Sequence, residues 1–352
     1  MRVLVVSDTV GALSSRTAGR ALGSGWTQAQ VTVIPAGESG TSFIRAWAEQ
    51  HDAEVVESAA AEQLVTVAVA GPMAAVGVHG PPATEGGIAY AASSRPLGEA
   101  LAALLPGAVR RVHLDLGGSQ VHDGGAGLMA ALGGTADRPL DSGVTALTGL
   151  TRLDLDPVRR ALQGVELIGV VPTDQLAQPL LGLRGITSLL GRDAGTPAEV
   201  LLATDAALEQ LSALAAPASA GQPGAGACGG LGFAVLALGG RLTTGPAVAL
   251  DAAPGGAPLR GSDLVVTGCS VFDFHTRGGG VVAAAAEAAA AVLSPCVVVA
   301  GEVVIGGREM RTMGIEAAYA VRESSLDVPG AVDITESELT HTARRVARSW
   351  SW

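Results

Sequence analysis

The first 35 residues fix the class of fold. Residues 2–6 are a short apolar run and residues 7–13 read as a turn. Either Ser14 or Ser15 can cap a helix in which Ala18, Leu22 and Trp26 recur at four-residue intervals, one apolar face turned toward a sheet. A second apolar run, residues 31–34, ends at Pro35. Strand, helix and strand in so short a span open a parallel α/β layer, where ligands gather beyond the carboxyl ends of the strands. The loops after Val6 and Ile34 are therefore candidate site loops.

Further along, residues 54–88 change to short alternating or fully apolar runs broken by glycine and proline, the pattern of hairpin-like strands. A helix over 97–105 and a strand over 112–116 lead into a glycine-rich turn and another helix near Gly125. Residues 264–267 and 296–300 read as buried strands, with an alanine-rich helix over 281–293 between them. The chain closes with a helix opened by a capping box from Thr335 to Glu338, whose Leu339, Ala343, Val346 and Trp350 share one face. At 352 residues the chain exceeds what one hydrophobic core holds, so two lobes are expected. Residues 1–70 with 260–352 make a Rossmann-like parallel-sheet lobe, and residues 71–259 make an inserted second α/β lobe. The runs 2–6 and 264–267 are expected as neighbours in one sheet.

Composition narrows function. A net charge of -11 and the lack of any basic stripe argue against nucleic acid, whose binding neutralises phosphates with clustered cations. All 22 cationic side chains are arginine, with no lysine and no asparagine, so chemistry that needs a lysine is excluded. Cys228, Cys269 and Cys296 form no CxxC pair and suit a reducing compartment. Asp8 interrupts the start where a secretory signal would still be apolar, which points to the cytoplasm. The uncharged stretch near 210–240 carries two prolines and a glycine-rich centre, unlike the roughly 20 continuous apolar residues of a membrane helix, so no membrane role is expected.

Two segments stand above ordinary loop composition: residues 117–127, GGSQVHDGGAG, and residues 223–233, PGAGACGGLGF. Both precede apolar helical runs. Their backbone amides could cradle a phosphate or carboxylate at a positive helix end, or their glycines could simply permit tight turns and close packing. Neither matches a Walker or dinucleotide pattern. His122 and His275 lie near Asp123 and Cys269 in sequence, which does not by itself make a nucleophile pair.

The order of these segments resembles the class I glycerate kinase family. Its members typically read GIGGSATNDGGAGM where this chain reads DLGGSQVHDGGAGL, and PGAGAAGGLG where it reads PGAGACGGLG. SDTVGALSS is similar to PDSFKGSLSA, PAGESGT to PVADGGEGT, QPLLGLRG to NPLLGPRGA, and SDLVVTGCSVFD to ADLVITGEGRID. The resemblance implies a two-domain fold with the active cleft between lobes, ATP and magnesium as cofactors, and D-glycerate as phosphoryl acceptor. A small hydroxy acid or a nucleotide is the implied partner, and a homodimer is compatible with it. Asp8 and Asp123 are the implied catalytic residues. Glu38, Gly117, Gly118, Ser119, Gly124, Gly224, Gly226, Gly229, Gly230 and Asp273 are the implied contacts for substrate or anion. The metal ligands are not assigned.

The departures are as informative as the matches. The family lysine of the first loop has no counterpart, Ala36 stands before Gly37 where an aspartate is usual, and Gln175 and Ala177 replace two aspartates before Pro179. Cys269, Ser270 and Val271 stand where the family has Glu, Gly and Arg, and lysines are missing within residues 192–195 and 278–280. Phosphoryl transfer relies on cations and metal-holding carboxylates to balance charge on the moving group. Asp8, Asp123, Asp263 and Asp273 are the carboxylates that still match. The expectation is a catalytically impaired or inactive member that acts as a binding or regulatory protein. The alternative is an active kinase with a site rebuilt on arginines such as Arg16, Arg184 or Arg192.

Overall fold

A computed structural model describes residues 1–60, 63–80, 87–252, 261–322 and 333–351. Among them the strands are, in chain order, β1 (Arg2–Ser7), β2 (Gln30–Pro35), β3 (Val55–Ala60), β4 (Gln63–Ala70), β5 (Met73–His79), β6 (Arg111–Asp115), β7 (Thr135–Ala136), β8 (Leu153–Asp154), β9 (Glu166–Val170), β10 (Arg241–Thr243), β11 (Leu264–Asp273), β12 (Cys296–Val304) and β13 (Ala317–Ala320). The chain divides into two compact units. Met1–Glu38, Arg45–His51 and Gly245–Trp352 make the first, and Ser39–Ile44 with Asp52–Thr244 make the second.

The first unit holds a parallel sheet in the order β13-β12-β11-β1-β2. As expected, the two ends of the chain share it: Val3 lies opposite Leu264 and Val6 opposite Thr267. Alternate residues of β1 and β11 feed two separate cores, with Leu4, Val6 and Val265 on one face and Val3, Val5 and Val266 on the other. Burial on both faces explains why these strands read as continuous apolar runs. Ser14 caps the helix Ser15–Gly23 through its side chain, and the Thr335–Glu338 capping box opens the final helix.

The second unit holds a six-stranded sheet in the order β10-β9-β6-β5-β4-β3, parallel from β10 to β5 and antiparallel from β5 to β3. The hairpin pattern read from residues 54–88 is this antiparallel edge. Residues 55–60 and 63–70, grouped with the first lobe in the sequence reading, form β3 and β4 of this second sheet. The inner boundary drawn at 259 and 260 lies outside the described residues, and residues 245–252, grouped with the second lobe in that reading, fall in the first unit. Leu97, Leu101, Leu114, Leu128, Leu208 and Phe233 are fully buried in one continuous core. Burial of that apolar area is what favours the compact unit.

Candidate functional site

In the first unit the chemistry gathers beyond the carboxyl ends of β1, β2 and β11, where open parallel sheets place ligands. Asp8 follows β1 directly. Its backbone amide donates to the Gly268 carbonyl at 3.2 Å, and its carboxylate accepts from the Thr9 amide at 2.7 Å. Burial, with the nearby Glu38 charge adding to it, pushes the Asp8 carboxyl up to about 6 against the opposing Thr9 hydrogen bond. Glu38, beyond β2, accepts from the Gly280 amide at 3.0 Å. This amide belongs to the first turn of helix Gly279–Ala291, so the protein's own carboxylate occupies the positive helix end. Ser270 Oγ on β11 accepts from the Gly11 amide at 3.0 Å and ties that strand to the loop after β1. Cys269, where the family reads Glu, is buried, and burial with the Asp8 and Asp273 charges pushes its thiol up to about 12. It is a neutral thiol and no replacement for a carboxylate. Asp273 caps its own turn, accepting from the Thr276 amide at 2.7 Å and from its hydroxyl at 2.9 Å.

In the second unit the two glycine-rich segments pack directly on each other: the Gly124 amide donates to the Gly229 carbonyl at 3.1 Å. A Cβ on Gly229 would overlap the Val121 carbonyl, and one on Gly226 would overlap that of Pro179. Cys228, Gly229 and Gly230 run consecutively in left-handed backbone, at φ of 51°, 66° and 91°. Glycine is required at the last two for conformation and for space alike.

The expected open anion cradle is not what this turn shows at its leading residues. Asp115, at the end of β6, accepts from the amide of Gly118 at 3.1 Å on one oxygen and from that of Gly40 at 2.7 Å on the other. Gly40 is the first residue of helix Gly40–His51. The Ser119 amide turns back to the Leu116 carbonyl. Asp115 is fully buried, and that burial pushes its carboxyl up to about 6 against the opposing amide hydrogen bonds. His79, at the end of β5, sets Nδ1 3.9 Å from the Asp115 carboxylate. Sequence reading passed over Asp115. Its one available signal is that it stands where the family motif opens on glycine.

Asp123, expected as a catalytic residue, sits in a different role. It is fully buried and accepts from the Ser94 amide (2.8 Å), the Ser94 hydroxyl (2.9 Å), the Gly125 amide (2.9 Å) and the Gly127 amide (3.1 Å). Three of those bonds fall on Oδ2 and one on Oδ1, and together they staple two loops to each other. The structure places Asp123, expected as catalytic, in a network that holds two loops together. His122 is likewise buried, with Nε2 2.9 Å from the Thr187 hydroxyl, and burial lowers its pKa to about 4. Arg192, one of the arginines weighed as compensation, donates to the Ser188 and Leu183 carbonyls of its own helix region. The structure thus joins Asp8 with Glu38, and the two glycine loops with each other, while Asp8 and Asp123 belong to different units.

Three comparisons with known proteins agree. The glycerate kinase family model matches residues 3–351. An uncharacterised protein of Mycobacterium bovis is 31% identical over 377 residues, covering 99% of this chain and 91% of that one. A glycerate kinase of Bacillus cereus is 27% identical over 268 residues, covering 73% of this chain and 69% of its own. Among solved structures, one named as a glycerate kinase 2 of Salmonella typhimurium LT2 superposes with a TM-score of 0.79 at 23% identity, covering 99% of this chain and 98% of that one. The match along nearly its whole length, carried by the ordered motifs and the two sheets, makes this chain a member of the glycerate kinase family.

Proposed function

We propose that this protein keeps the family's recognition of a small hydroxy acid but is impaired in phosphoryl transfer, and that it acts in the cytoplasm as a binding or regulatory protein. The observation that carries this reading is how the remaining carboxylates are used. Asp123 is spent on four internal hydrogen bonds, Asp263 accepts from the Arg2 amide, Asp273 caps its own turn, and Glu38 holds a helix end, which leaves Asp8 with a carboxyl pushed to about 6. The chain has no lysine to set beside them.

ATP with magnesium is implied by the family. Magnesium takes hard oxygen ligands in near-octahedral geometry. Among the described residues no group of three or more His, Cys, Asp or Glu side chains is arranged to hold a metal ion. Beside Asp8 the family's Glu position carries the neutral thiol of Cys269. Asp8 and Glu38 are the carboxylates left beside that thiol, and because magnesium is held by one or two carboxylates together with substrate phosphates, these two would hold it; no step is derived through it. Among the described residues no helix is long and apolar enough to cross a membrane.

A coupled ADP-release assay with D-glycerate, ATP and magnesium tests the reading. Kinases turn over at about 1 to 100 per second, and loss of a single preorganised donor costs about 10² to 10³. The expected turnover lies far below one per second. Thermal shift should still register D-glycerate, since ligand at 100 times its Kd adds about 2.7 kcal/mol to the folded state. Turnover near one per second that Asp8→Asn abolishes would establish the alternative, a rebuilt kinase site.

A further inference from the structure

Half of the exposed large apolar side chains lie in one short stretch of the second unit. Twelve such residues are exposed among the described residues, and six of them fall between 183 and 214: Leu183, Leu189, Leu190, Val200, Leu202 and Leu214. Leu183 is 84% accessible and Leu202 70%. The stretch folds into one surface. Gly191 of helix Ile186–Asp193 lies against Leu201 of helix Ala198–Ala215, so closely that a Cβ on the glycine would overlap the leucine side chain. The loop before the first helix is bound to both helices. The Ser188 hydroxyl and the Arg192 guanidinium donate to the Gly182 and Leu183 carbonyls, and the Gly182 amide donates to the Asp205 carboxylate at 3.0 Å. Leu190, Val200 and Leu202 therefore flank the helix crossing, and Leu183 is held beside it.

Helix Ala198–Ala215 has the composition of a helix covered on both sides. Its Ala207, Leu208, Leu211 and Ala215 face the core of the second unit. A surface helix ordinarily turns charged and polar residues the other way. Here the outward stripe at helical spacing is Glu199, Leu202, Ala206, Glu209 and Ala213, with Ala203 and Leu214 beside it, all of them exposed. Monomeric proteins rarely leave a contiguous apolar patch larger than a few hundred Å² in water.

We propose that this face is the interface of a homodimer, in which helix Ala198–Ala215 packs antiparallel on the same helix of a second copy across a two-fold axis. The charges select that occupant. Among the described residues Arg184, next to Leu183, makes no hydrogen bond or ion pair through its side chain, and neither do Glu199 and Glu209. A two-fold axis uses one patch twice, so the patch must carry both signs itself. Arg184 of each copy then meets the glutamates of the other, and the charges are matched while the leucines leave water. Ala203 and Ala206, in the middle of the helix face, leave room for the two helices to approach and for each Leu202 to reach across. An anionic lipid surface lacks this fit, because the two glutamates and a chain of net charge -11 repel it.

Sedimentation velocity of the whole protein across micromolar concentrations tests the arrangement. The parent should sediment as one species of twice the 34.9 kDa chain mass. Leu202→Glu should keep the parent's circular dichroism and raise the dimer dissociation constant roughly thirtyfold or more, the scale of losing a central interface side chain. Should that variant fold poorly, Leu183→Glu, at a side chain 84% accessible, gives the same reading. Arg184→Glu should weaken the dimer, and combining it with Glu199→Arg and Glu209→Arg should restore it. A parent that stays monomeric, a dimer that Leu202→Glu or Leu183→Glu leaves intact, or assembly beyond two chains overturns the proposal. So does a dimer that the exchange of charges fails to restore.

Discussion

Asp8 in the first unit and Asp115 in the second are a matched pair with opposite surroundings. Each stands at the carboxyl end of a parallel strand, and burial pushes each carboxyl to about 6. Asp8 accepts one backbone amide and has Glu38 as a repelling neighbour, whereas Asp115 accepts two backbone amides and has an imidazole 3.9 Å away. A raised carboxyl alone therefore does not say what the group is for. The donors around it do: Asp115 organises a turn, a helix start and a histidine, and Asp8 organises little beyond its own turn. Asp123 extends the comparison, being buried like Asp115 and more fully bonded.

If that difference is real, removing the three side chains should have unequal and even opposite effects on stability. Asp123→Ala should cost the most, about 3–5 kcal/mol in urea denaturation, because it strands the Ser94, Gly125 and Gly127 donors in a dry interior. A loss below about 1 kcal/mol would return Asp123 to the candidate catalytic residues. Asp115→Ala should cost about 2–4 kcal/mol at pH 7, because it leaves the Gly40 and Gly118 amides without their acceptor.

Asp8→Asn is expected to go the other way. A carboxyl with a folded value near 6 and an ordinary value of 3.8 favours folding fully only below about 4, and that contribution is lost as pH rises through 6. The asparagine variant should match the parent near pH 4 and be more stable by roughly 1–3 kcal/mol at pH 8, the upper end being the full free-energy equivalent of the rise in the carboxyl's pKa. Thermal melts across that range measure it. A variant equally stable or less stable at pH 8 would mean that Asp8 is held by favourable contacts, and the contrast with Asp115 would collapse.

The layers were legible in the chain alone, because apolar periodicity and capping are local properties. The runs at 2–6, 31–34 and 264–267 became β1, β2 and the start of β11, and Ser14, Thr335 and Glu338 cap the helices they were expected to cap. The ordered motifs carried the family in the same way, and Asp8 and Glu38 fall in neighbouring loops since both follow strands of one parallel sheet. Which donors the acidic residues meet was decided in three dimensions. Asp123 sits in a motif that reads as catalytic, but Ser94, 29 residues earlier in the chain, supplies two of its four donors, and no local pattern announces that contact. Asp115 ends an ordinary strand pattern and gains its importance from Gly40 and His79, which the sheet order brings beside it from distant parts of the sequence. Whether a carboxylate is a ligand, a cap or a counter-charge depends on burial and on donors that converge through long-range strand pairing, and neither is written in the few residues around it.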